Sequence, residues 1–311
     1  MVNGRVLYVA AGVLAVLVLA MGAFVVAGRS RPHEQVVTAS GDLESYVWAF
    51  VGRLPRAETN AYQQPTPDQQ TQMRSAWAAL SEGRLDDALA IAAPLRYDVV
   101  SFTDQVTGRT LAMLQEVPNA DGSWPHAWGL YIVDLSSRSP LLVEVAHPVD
   151  DIDTPLVGVA TFRRANARAL FIAGASRFAD PGEIADVAHD QFSIFEAVHE
   201  AALTAASIVF EPHGFEVSGH GPVGDIVVSS GTDRPDPVAK AVARALATRG
   251  FRVCVYEGGG GCSGLGATTN VQGSSTRAIG AQFLHIEMAL GVRATRDSRE
   301  AVAAAVAAAI P

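Results

Sequence analysis

The sequence predicts an α/β fold: a three-layer domain with a mainly parallel or mixed central sheet, preceded by a membrane-anchor helix and a small helical region. Three observations predict it. From about Trp128 onward, short apolar runs rich in β-branched residues alternate with helical stretches, the pattern of helices packed on a sheet. The 311 residues are 49% hydrophobic, enough for a full core. The run from Val6 to Gly28 carries no charge and is long enough to cross a bilayer core as a helix.

Three segments follow: residues 1–31 as anchor or signal, 32–96 as linker and helical pair, and 97–311 as the α/β domain. Arg5 precedes the apolar run and Arg29 and Arg31 follow it, so flanking charge leaves orientation undecided. The run is long for a cleaved signal and lacks a sharp small-residue cleavage site, which favours an uncleaved anchor. On this reading the globular domain lies outside the cytoplasm, membrane-anchored or exported. Two cysteines, Cys254 and Cys262, flank a glycine-rich loop. An oxidising compartment would join them as a disulfide, the alternative being two free thiols.

After a polar linker, "RSRPHEQVVTASG", helical patterning runs from about Asp42 to Leu95. Thr66, Pro67 and Gln69 read as N-cap, first helical residue and capping-box partner, and Gly83 ends that helix. "YDVVSFTD" and "TLAMLQEV" flank a turn and form a hairpin, followed by strands in "WGLYIVDL" and "LLVEVAHP". Helices are expected over Pro155–Ala165, Ser193–Ala205 and about Pro235–Thr248. Strands are expected in "ARALFIAGA", "SIVFEPH", "DIVVSS", "FRVCVYEG" and "QFLHIEMA". A closing helix is opened by Asp297 with Glu300 three residues on, and "LGATTNVQGSSTRAIG" reads as a polar loop.

The formal net charge is −9 with no long Lys/Arg run, which argues against a nucleic-acid partner. "EGGGGCSGLG" lacks the Gly-Lys-Ser/Thr ending of a phosphate loop, and no Gly-x-Ser-x-Gly nucleophile elbow is present.

In α/β sheets function gathers at the carboxyl ends of strands, and three predicted strand ends carry metal-capable chemistry. His147 closes the apolar run "LLVEVA" with Asp150, Asp151 and Asp153 behind it; His213 ends "SIVFEPH"; Glu287 lies near the end of "FLHIEMA". Each alone has a bland reading: a capping histidine, a solvated acidic face, an outward-pointing glutamate. Together they have the composition of a catalytic zinc site, three ligands with an open position and a free carboxylate.

The order His–acid, His, Glu, with "PHGFE" and "FLHIEMALGVR", resembles the zinc-dependent exopeptidase group: zinc carboxypeptidases, N-formylglutamate amidohydrolases and poly-γ-glutamate hydrolases. The resemblance covers roughly Leu141 to the C-terminus and gives the helical pair no place. It implies Zn²⁺ on His147, His213 and either Asp151 or Asp150, with Asp151 preferred, and Glu287 as general base. It departs from the carboxypeptidases in offering aspartates where they use glutamate. Arg277, Asn270 and His189 are candidate substrate-binding residues, against the plainer readings of a solvated loop and a helix-start histidine. His285 shares a strand face with Glu287, as a partner of a ligand or a core residue. His199 reads as structural or exposed within a helix, and His220 lies in a flexible turn. The implied function is hydrolysis of an amide bond in a peptide, cell-wall peptide or γ-glutamyl substrate, at the membrane that the N-terminal helix would anchor. The alternative is a non-catalytic envelope binding or scaffolding protein with a hydrolase-like fold.

Overall fold

The computed structural model describes residues 34–220 and 223–310. The expected anchor helix lies outside them. No helix among the described residues is long and apolar enough to cross a membrane.

The elements in chain order are β1 (Val37–Gly41), α1 (Leu43–Val51), α2 (Pro67–Ser81), α3 (Leu85–Ala92), β2 (Tyr97–Asp104), β3 (Thr110–Glu116), β4 (Leu130–Val133) and β5 (Leu141–Val145). Then come α4 (Thr154–Arg164), β6 (Ala169–Ile172), α5 (Ile194–Ala202), β7 (Ile208–Phe215), β8 (Ile226–Ser229), α6 (Pro237–Thr248), β9 (Val253–Val255), α7 (Val271–Ala278), β10 (Gln282–Ala289), α8 (Leu290–Arg293) and α9 (Arg296–Ala307).

Among the described residues one mixed sheet runs in the order β1-β2-β3-β4-β6-β5-β7-β10-β8-β9. Its centre is parallel: β6 with β5, β5 with β7, and β7 with β10. Antiparallel pairings flank it, β4 against β6 on one side and β8 against β10 on the other. The central strands are buried along their length, as strands covered on both faces must be. Helices α2, α3, α5 and α7 pack together on one face; α1, α4, α6 and α9 pack on the other. Gly158 lets α4 sit close, since a Cβ there would lie 2.8 Å from the Val145 side chain.

The strongest local signals held. Thr66 caps α2 with the full capping box to Gln69, and Pro67 is its first residue. Other expectations are corrected. Val37–Gly41, read as linker, is a strand because its pairing with β2 satisfies the backbone. The loop "LGATTNVQGSSTRAIG" contains α7, whose N-cap is Asn270 accepting from the Gly273 N–H. The last helix is opened by Thr295, whose hydroxyl accepts from Ser298, rather than by Asp297. Cys254 and Cys262 are joined as a disulfide. It fastens the glycine-rich loop over a small apolar cluster of Phe215, Val223, Val227, Leu265 and Ala289.

Candidate metal centre

The carboxyl ends of β5, β6, β7 and β10 lie side by side and point the same way. Beyond the end of β5 the chain makes a single helical turn, with the Asp151 N–H donating to the His147 carbonyl at 3.0 Å. That i, i+4 turn carries the Asp151 side chain back to the ring of its own histidine. Its carboxylate lies 3.4 Å from His147 Nδ1 and 3.1 Å from His213 Nδ1. Donor atoms of His147, Asp151 and His213 all fall within 4.8 Å of one another.

Both imidazoles are held from behind. His147 Nε2 meets Asp186 Oδ1 at 2.8 Å, and His213 Nε2 meets Glu211 Oε1 at 2.6 Å. A carboxylate on each Nε2 orients the ring and turns Nδ1 toward Asp151, the arrangement that positions metal-binding histidines; with no cation between them, an Nδ1 proton bridges each ring to the Asp151 carboxylate. Burial works against charge on either ring, yet hydrogen bonds to Asp151, joined by Asp186 at His147 and Glu211 at His213, outweigh it and raise both pKa values. Burial also acts to raise Asp151, but its two histidine partners hold it well below the usual carboxylate range.

Glu287 stands opposite His213 in the β7–β10 register, and His285 opposite Glu211. Donor atoms of His213, His285 and Glu287 also lie within 4.8 Å of one another. Burial pushes the Glu287 carboxyl up to about 7 and the His285 imidazole well down. Buried oxygens Glu211 Oε2 and Glu287 Oε2 have no hydrogen-bond partner. Four carboxylates, those of Asp151, Asp186, Glu211 and Glu287, gather here with two guanidiniums, Arg177 paired with Asp186 and Arg293 acting on Asp151 and Glu287. A divalent cation fits that balance and a donor set of two imidazole nitrogens and one carboxylate.

A cavity of about 420 Å³ opens over this cluster. His147, His213, His285, Glu287, Asn270 and His189 line it. Asp150 turns elsewhere, accepting from the Ser176 hydroxyl and the Arg177 N–H at 2.7 and 2.8 Å. Asn270 lines the wall, but its amide is engaged: Nδ2 donates to Glu211 at 2.9 Å while Oδ1 caps α7. Arg277 is not brought to the cavity. It projects from the last turn of α7 and donates to the Ser230 carbonyl at 3.0 Å. The arginine of the cavity is Arg177, which pairs with Asp186 and reaches His147 Nδ1 at 3.3 Å. Sequence reasoning passed over it, although it follows β6, a strand ending at the same edge. Arg293 was also missed. Buried against Gly214, it donates to the carbonyls of Met288 and Ile152, tying the end of β10 to the turn that carries Asp151.

His199, read as structural, forms a buried pair with Glu144 at 2.8 Å beneath the site. The Glu144 carboxylate overcomes burial and raises the imidazole to about 9.

Fold and side chains together define a class: an α/β domain with a candidate metal centre at the carboxyl ends of adjacent parallel strands. Among solved structures the chain is similar to a bacteriophage poly-gamma-glutamate hydrolase, at 11% identity and TM-score 0.39, over 54% of this chain and 82% of that one. It is similar to N-formylglutamate amidohydrolase from Ralstonia eutropha, at 14% identity and TM-score 0.38, over 55% and 93%. It is also similar to a metallo-carboxypeptidase from Burkholderia cenocepacia, at 14% identity and TM-score 0.37, over 75% and 66%. These neighbours are hydrolases and belong to the group that the sequence motifs resemble. At such low overlap they carry no functional argument, which rests on the side chains. No family model matches the chain. No curated protein matches it.

Proposed function

We propose that this chain is an exported zinc-dependent hydrolase of an amide bond, in a peptide, cell-wall peptide or γ-glutamyl substrate. The observation that carries the reading is Asp151 set between the Nδ1 atoms of His147 and His213 with Glu287 opposite His213. His147, Asp151 and His213 would hold the ion. Zinc bound there supplies Lewis acidity, polarising the scissile carbonyl and making water acidic enough to attack near neutral pH.

The remaining chemistry belongs to the chain. Glu287 is mostly buried, with a carboxyl near 7, suited to taking a proton from the attacking water and passing it to the leaving amine. Arg177 offers the cavity its guanidinium, which can hold a substrate carboxylate or carbonyl. Asp186 holds the His147 imidazole in place through Nε2. Export and anchoring are supported by the charge-free run from Val6 to Gly28 and by the Cys254–Cys262 disulfide.

Glu287→Gln tests the reading. It keeps the shape of the side chain and removes its basicity, so the variant should retain zinc and lose hydrolysis of amide substrates. Full turnover in the variant would remove Glu287 from the role of base. Zinc without hydrolysis by the unaltered protein, across peptide and γ-glutamyl libraries, would point instead to a binding or scaffolding protein.

A further inference from the structure

Among the buried groups around the site, one chain of contacts has no part in the proton path yet reaches a proposed ligand. Glu211 and His213 share a face of β7, two residues apart. Glu211 Oε1 accepts from His213 Nε2 at 2.6 Å and from Asn270 Nδ2 at 2.9 Å. Asn270 is at the same time the N-cap of α7, with Oδ1 accepting from the Gly273 N–H at 2.6 Å. The residues just before it, Gly264 to Thr269, form a wall of the cavity. The wall, the helix start and the His213 imidazole are therefore one connected unit.

The two histidines are not held alike. The carboxylate behind His147, Asp186, is paired with Arg177. The carboxylate behind His213, Glu211, has no Lys or Arg partner among the described residues, and its second oxygen is buried without a hydrogen bond. Glu211 thus meets the imidazole N–H with the Asn270 amide, not a guanidinium, as its other partner, and that amide fixes where the carboxylate stands.

Resting on the zinc reading above, we propose that Glu211 and Asn270 are positioning residues. Glu211 sets the tautomer and direction of His213, and Asn270 holds Glu211 while fastening the cavity wall to it. The substrate-facing wall and one metal-binding imidazole then move together. Asn270 acts through Glu211 rather than as a substrate contact.

The test is zinc affinity of the full chain, measured by competition with a chromogenic chelator, with the visible spectrum of the cobalt-substituted protein beside it. Glu211→Gln removes the charge at nearly constant shape. Asn270→Asp keeps a strong helix cap but replaces the amide donor with a second carboxylate. Thermal unfolding of the metal-free proteins checks that each variant folds, and either variant alone suffices if the other does not. Zinc affinity should fall on the order of tenfold to a hundredfold in Glu211→Gln, less in Asn270→Asp, with altered cobalt bands in both. Folded variants binding zinc as the unaltered protein does, with unchanged cobalt bands, would overturn the inference while leaving the zinc site standing. Absence of zinc from the unaltered protein, equal to that of His147→Ala, would overturn the zinc reading and this inference with it.

Discussion

Glu287 and His213 stand directly opposite each other on neighbouring parallel strands, and two steps earlier His285 and Glu211 do the same. Residues two apart on a strand share a face, so one patch of sheet between β7 and β10 presents two imidazoles and two carboxylates together. The β5 turn adds His147 and Asp151 to that patch.

The purified protein should hold near-stoichiometric zinc by elemental analysis. His147→Ala and His213→Ala should both lose it, because each leaves two donors where three are needed. Retention of a full complement in either variant would remove that histidine from the ligand set.

Asp150 and Asp151 should separate cleanly. Asp151→Asn should lose the metal, since its carboxylate lies between the two Nδ1 atoms. Asp150→Asn should keep the metal and cost stability instead, because Asp150 holds the Ser176 hydroxyl and the Arg177 N–H. A loss of about 1–3 kcal/mol is expected from the weakened pairing of those donors, read from urea unfolding.

Arg177→Ala should raise KM about tenfold, the scale of losing one hydrogen bond to a charged group. Arg277→Ala should leave KM unchanged and lower the melting temperature, since its guanidinium supports the Ser230 carbonyl. Steady-state kinetics on any substrate found would show the contrast; the reverse pattern would restore Arg277 to the site.

The buried pair beneath the site should make stability depend on pH. The His199 pKa rises from 6.5 unfolded to about 9 folded. A raised pKa means the folded state binds the proton more tightly, so this stabilisation is fully present below 6.5 and is lost as pH climbs through about 9. His199→Gln should cost about 3 kcal/mol near neutral pH by stranding Glu144, with the gap from the unaltered protein narrowing in alkali. Chemical unfolding at pH values across that range would measure it, and a gap that widened instead would contradict the assignment.

Reduction of Cys254–Cys262 should lower stability by about 2–3 kcal/mol, the chain-entropy value for so short a loop. Zinc content should not change, because no candidate ligand lies in the loop between the cysteines. Thermal unfolding and metal analysis with and without reductant would check both halves.

Much of the fold was legible where local rules are strong. The capping box at Thr66 and the apolar runs of β5, β6, β7 and β10 each signal their element within a few residues. β1 escaped notice because Val37–Gly41 is a strand only in the presence of β2. α7 escaped because two serines, a threonine and a glycine make a poor helix by propensity, and Gly273 lets it pack close against the Phe283 ring. Asn270 and Arg277, read as residues of a polar loop, stand at the start and in the last turn of that helix. One is a helix cap on Glu211, and the other faces Ser230.

By itself the sequence determined the alternation of strand and helix, the candidate residues at three strand ends and the pair of cysteines, because each is written in side-chain period, capping chemistry or residue type. Only the tertiary structure decided that β5, β7 and β10 are neighbours, that Asp151 rather than Asp150 turns toward the histidines, and that Arg177 rather than Arg277 enters the cavity. Strand order and the direction of a side chain after a turn depend on contacts between residues far apart in the chain, and local patterns carry no record of those contacts.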